Sequence, residues 1–229
     1  MEENKKKEQN INTEEIKKET VETVNQVKET IKNVNIKNDA KEATGFVSSM
    51  FKDPFGTLKQ IVNDNTNKYF KIAIIFVVIW MIAILISKLF AVSISIFSVK
   101  IAFSRVLSII KAVIAPLVGV VVFSGIVYFM NKENKKSITT ILTAVVTAKI
   151  PVIVASIVSL LTIIDSKISL ITSPFASLCN VISIVLIYFA TKTIFGEEQN
   201  SKFFKKFVKI EAIYYVVYIV VSLLGIYMK

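Results

Sequence analysis

The chain has 229 residues, is 53% hydrophobic and has a mean hydropathy of +0.60, where soluble domains run at roughly 45–50% apolar. It carries 28 Lys and Arg against 17 Asp and Glu, a formal charge of +11, with one cysteine and no histidine. The missing histidine excludes Ser-His and Cys-His catalysis and HExxH metal sites, and a lone cysteine excludes an internal disulfide or a Cys-based zinc site.

The charge is unevenly placed. Residues 1–45 hold nine Lys and ten Asp or Glu, a net −1, which leaves 19 of the 28 basic and 7 of the 17 acidic residues, a net +12, for the remainder. That basic charge flanks long apolar runs, where it sets orientation and meets anionic lipid head groups. The expected partner is therefore a lipid bilayer and not nucleic acid. No cofactor, metal or catalytic residue set is expected.

Residues 1–10 (MEENKKKEQN) form a charge run of the kind that stays disordered. From about Thr13 the pattern changes: Val24, Val27, Ile31 and Val34 are three, four and three apart, one stripe of a helix. Asn12 or Thr13 suits its cap, with Glu15 three beyond Asn12. Two readings stand: a solvated helix of marginal stability, or a coiled-coil or membrane-surface segment that firms up against a partner. Residues 1–45 together read as a polar cytoplasmic tail, the surface at which a protein partner would be met.

Residues 46–71 read as interfacial helices. Asp53-Pro54 suits an N-cap followed by the first helical position, where proline's missing N–H costs nothing. The helix so started shows Phe55, Leu58, Ile61 and Val62 on one side. The aromatic and basic run Lys68 to Lys71 then anchors the chain at the membrane surface.

From Ile72 to Phe90 the chain reads IAIIFVVIWMIAILISKLF, with Lys88 as its one charge. A run of that length and apolarity is what one helix needs to cross about 30 Å of hydrocarbon. Four more runs follow, giving expected spans at about 72–90, 106–130, 138–164, 168–194 and 207–228 in a membrane domain of residues 72–229. Residues 91–105 alternate enough to lie in the interface. The predicted fold class is all-α, a polytopic helical membrane protein with five transmembrane helices. Ten basic residues flank the spans on the head side against six opposite, which predicts a cytoplasmic N-terminus in the cell membrane. Five spans, an odd number, put the C-terminus on the other face.

This pattern resembles the Yip (Ypt-interacting protein) domain family. The resemblance rests on the segment Asp53, Pro54, Phe55, Thr57, Leu58 and Ile61, on five closely spaced spans, and on the Lys149-Ile150-Pro151 step in the third of them. A Lys- and Phe-rich loop then feeds a last helix. It covers roughly residues 50–228, and it implies a non-enzymatic membrane scaffold in trafficking or membrane organisation.

Lys149 is the conspicuous charge. It lies eleven residues from Ile138 and fifteen from Ile164, about 16 Å along the helix from its start. A charge in mid-membrane costs at least ~2.5–3.5 kcal/mol. Either Lys149 faces a wet cavity or pairs with an acid, Glu211 in the last span being the candidate, or the stretch before Pro151 lies near the interface. Pro116, Pro151 and Pro174 sit inside spans and are expected to kink them. The small residues Ala144 and Ala148, Ser173 and Ser177, and Gly119 with Ser124 and Gly125 favour close helix approach. Cys179 reads as packing. The rival to a scaffold is a small transporter or channel with Lys149 and the Pro151-broken helix on the substrate path.

Overall fold

The computed structural model describes residues 17–19, 21–29, 32, 36–64, 68–92, 99–131, 134, 136–196 and 199–223. Among the described residues all regular structure is helical. The expected cap at Asn12 or Thr13 with Glu15, the stripe residues Ile31 and Val34, and residues 93–98 of the alternating stretch lie outside them. Val24 and Val27 fall in a helical piece, residues 21–29. Within it, Thr23 Oγ1 lies 3.4 Å from Thr139 Oγ1, against the body.

Helix α1 (Ile36–Lys52) is amphipathic: Ala43, Phe46 and Met50 are three and four apart and buried, while Lys41, Glu42, Ser48 and Ser49 are exposed. Phe46 fixes it to the next long helix, its ring centroid 5.7 Å from Tyr69 and 6.1 Å from Phe76. The chain then breaks at Asp53, whose side chain accepts the Gly56 N–H at 2.8 Å, with Pro54 in the first turn. That cap starts α2 (Pro54–Asn63), in which Leu58, Ile61 and Val62 are almost fully buried.

Five helical stretches carry the apolar bulk. Helix α3 (Lys68–Val92) and α4 (Val99–Met130) come first. A bent pair follows, α5 (Ile138–Ala148) and α6 (Ile150–Val158), which a 3₁₀ turn extends to Ile163. After a second 3₁₀ turn at Ser166–Ile168 comes α7 (Ser169–Phe195), and last α8 (Asn200–Leu223).

Among the described residues three helices are long and apolar enough to cross a membrane: Lys68–Phe90, Arg105–Met130 and Ser166–Phe195, with mean hydropathies of 2.8, 2.6 and 2.0. The bent pair Ile138–Ala148 and Ile150–Ile163 makes a fourth if it is one span. The first half of α8 carries Lys202, Lys205, Lys206, Lys209 and Glu211, and α8 is not among these helices. Residues 99–105 continue α4 without a break.

The helices turn apolar surface outward as well as inward. Ile164, Leu170 and Ile171 are 75–80% exposed, an apolar surface that water does not tolerate and lipid does. Inside, Ile141, Ala144, Ala148, Ile150 and Ile153 are at or near zero exposure. The small Ala144 and Ala148 let α5 approach its neighbours α3, α4 and α7. Ser173 and Ser177 do not work that way: both are exposed, and Ser177 Oγ donates 3.1 Å back to the Ser173 carbonyl. A hydroxyl that satisfies itself within its own helix has no need of a neighbouring one.

Helix α2 packs on α5 and α7, so its apolar side is covered by protein. Phe55 is largely exposed, yet its ring centroid lies 4.2 Å from that of Phe189 in α7.

Candidate intramembrane site

The break in the third apolar stretch follows from its sequence. Pro151 has no N–H for the carbonyl four residues back, so one rung of the helical ladder is missing there. At the break Lys149 donates its backbone N–H to the Val146 carbonyl at 3.0 Å, tightening the last turn of α5. The Lys149 carbonyl then accepts the Ile153 N–H at 3.0 Å and begins α6. The two halves are bent by 43°. Lys149 is thus the hinge residue, half-buried, with its neighbours Ala148 and Ile150 fully enclosed.

Beside the break lies a cavity of about 470 Å³ whose lining includes Trp80, Pro116, Lys149, Asn180, Glu211 and Tyr214. Six helices contribute, α3 to α8. Register explains why the two charges meet there. Lys149 is eleven residues past the start of α5, and Glu211 eleven past the start of α8. Reversals at Asp165 and at Gly196 (φ 59°, the left-handed cap of α7) make α5–α6 and α8 run the same way. Equal offsets on parallel helices bring both side chains to one level, about 16 Å along each helix. Lys149 and Glu211 interact electrostatically, and both are half-buried.

Two aromatic contacts hold the walls. Trp80 donates from Nε1 to Ser156 Oγ at 3.2 Å, and that hydroxyl donates 2.9 Å to the Val152 carbonyl, so α3 is joined to α6 just past the break. Tyr214 meets Phe123 edge-on at 5.6 Å, which seats α8 on α4. Trp80 and Asn180 carry no distinct sequence signal as site residues. A lone indole in an apolar span does need a partner for its N–H, and a lone amide is costly in lipid.

The prolines occupy different settings. Pro116 lies inside an uninterrupted α4 and lines this cavity. Pro174 lies in the early turns of a continuous α7, exposed. Pro151 faces the other side of the break, where with Pro54, Met50, Phe51, Ile182 and Leu186 it lines a smaller apolar pocket of about 170 Å³. Asp53, Pro54, Phe55 and Leu58 belong to that neighbouring α1–α2 corner and not to the charged cavity. Cys179 is buried in α7. Among the described residues no group of three metal-ligating side chains occurs.

Residues 48–228 match the family model of the Yip1 domain. The chain belongs to the Yip1 domain family. No curated protein and no solved structure matches it. The Yip1 domain begins within α1, at Ser48, so it takes in α2, every apolar helix and the whole charged cavity. The polar head lies outside it. This is a Yip1 domain membrane protein, all-helical, with several apolar helices.

Proposed function

We propose that this Yip1 domain protein is a non-catalytic five-span scaffold of the cell membrane that recruits partners through its head. In this reading α8 is the fifth span. Its basic first turns stay at the head-side surface, and the stretch from about Phe207 on, which takes in Glu211, crosses. The N-terminus is cytoplasmic, the C-terminus lies on the opposite face, and α1–α2 sit at the interface.

The observation that carries the reading is the seating of α1. Phe46 between Tyr69 and Phe76 pins its apolar face to α3, while Lys41, Glu42, Ser48 and Ser49 face outward. A charged surface held rigidly beside the spans is a docking platform joined to a membrane anchor. The test is in-cell photo-crosslinking from position 41 or 42. The scaffold reading expects a discrete set of captured proteins that deletion of residues 1–35 abolishes. Capture of lipid alone, or a set indifferent to the deletion, contradicts it.

The cavity beside Lys149 favours a second reading, a small transporter with the Pro151 break on the substrate path. Solute exchange by the purified protein in liposomes distinguishes the two.

A further inference from the structure

Lys149 and Glu211 bring opposite charges to one cavity from two different helices, at one level, with aromatic walls around them. A purely anionic occupant would meet Glu211, a purely cationic one Lys149, and a neutral one would leave the two charges only each other. A group carrying both signs satisfies both. Trp80 and Tyr214 put aromatic rings, able to attract an ammonium, in the lining, and Asn180 adds an amide able to donate or accept. A volume of about 470 Å³ is in the range of small-molecule sites, roughly 300–1,000 Å³.

Part of the cavity lining on α7 reaches the outer surface. Helices α7 and α8 are held together near their shared turn, where Tyr188 lies 5.0 Å from Phe203 and 5.1 Å from Phe207. Farther from that turn the cavity-lining Asn180 and Ile184 are exposed, as are Tyr215 and Val216 on α8. Asn180 and Ile184 thus connect the cavity to the outer apolar surface along α7, the face that lipid would cover.

We propose that this cavity is a binding site for a zwitterionic headgroup, with its phosphate or carboxylate at Lys149 and its ammonium at Glu211. The proposal goes beyond the scaffold reading, and it is one of occupancy and not of transport. The same chemistry is carried by a membrane lipid and by a free solute, and the lining that reaches the outer surface makes the lipid the expected source.

The test uses the full chain in detergent, stripped of lipid, then offered phosphatidylethanolamine and phosphatidylglycerol of identical acyl chains, with retention read by native mass spectrometry. The expected result is about tenfold preferential retention of phosphatidylethanolamine, collapsing to parity in the K149M/E211L double variant. Opposed charges replaced together by apolar residues of similar size usually leave folding intact. A separate arm offers free O-phosphoethanolamine: displacement of bound lipid supports headgroup recognition, and binding of the free compound without lipid retention assigns the site to a solute. Equal retention of both lipids by the unaltered protein, with no binding of the free compound, overturns the proposal whether or not the variant folds. That is the outcome expected if Lys149 and Glu211 serve only each other.

Discussion

The ammonium of Lys136 donates a 2.8 Å hydrogen bond to the carbonyl of Val62, in the last turn of α2. The contact joins the approach to α5 with a helix 74 residues earlier, and it sets a cation at the negative end of that helix. A charge-assisted bond to a part-buried carbonyl contributes about 1.5 kcal/mol, the low end for a charged donor. Lys136→Met is expected to lower the thermal stability of the protein in detergent by about that amount, and Lys136→Arg to retain most of it. Equal melting of both variants and the unaltered chain contradicts this role.

Phe46 is the chief anchor of α1, so Phe46→Ala removes ring contacts to Tyr69 and Phe76 at once. Truncations of this size cost about 3 kcal/mol in a well-packed site. The loss should fall on α1 and leave the apolar helices in place, because a peripheral helix opens before the body does. Limited proteolysis checks it: cleavage between Ile36 and Lys52 should accelerate while cleavage within α3 stays unchanged.

The Trp80 and Ser156 pair allows a double-mutant cycle with Trp80→Phe and Ser156→Ala. Hydrogen bonds between helices in membranes couple by about 0.6 kcal/mol on average. A favourable coupling of that order is expected in unfolding measurements, and a coupling of zero would remove Trp80–Ser156 as a bridge across the break.

Gly196 ends α7 at φ 59°, and a Cβ there would also lie 3.3 Å from the Asn134 amide nitrogen. The Asn134 amide itself donates to the Phe195 carbonyl, beside that turn. Gly196→Ala is expected to destabilise by about 1 kcal/mol for the left-handed backbone alone, with the Asn134 bond weakened. Unchanged melting of this variant counts against the cap.

The apolar helices were legible because hydropathy over twenty residues leaves little choice of solvent. Proline's missing N–H made a break at Pro151 readable, but Pro116 and Pro174 stand in continuous helices, so proline alone does not say which stretch parts. That Lys149 and Glu211 share a level could not be read from the expected spans, where they lie eleven and four residues in; only the observed start of α8 at Asn200 equalises the offsets. Which face of α3 looks inward could not be read, because a helix apolar on all sides carries no stripe to point with. Trp80 therefore showed no sign of lining the cavity. The serines of α7 misled for a related reason: small size permits close approach but does not compel it, and Ser177 bonds its own helix. Helix α2 has an apolar side that reads as lipid-facing, and only the fold reveals that α5 and α7 cover it.

The central claim is that the body crosses the membrane five times with its head on the cytoplasmic face. A background with Cys179→Ala removes the one native thiol. One cysteine is then introduced at Lys41, exposed on α1, or appended after Lys229. A membrane-impermeant maleimide applied to intact cells should label the appended cysteine and reach Lys41→Cys only after the membrane is opened. Labelling of both, or of neither, before opening would place the two ends on one face and contradict the account.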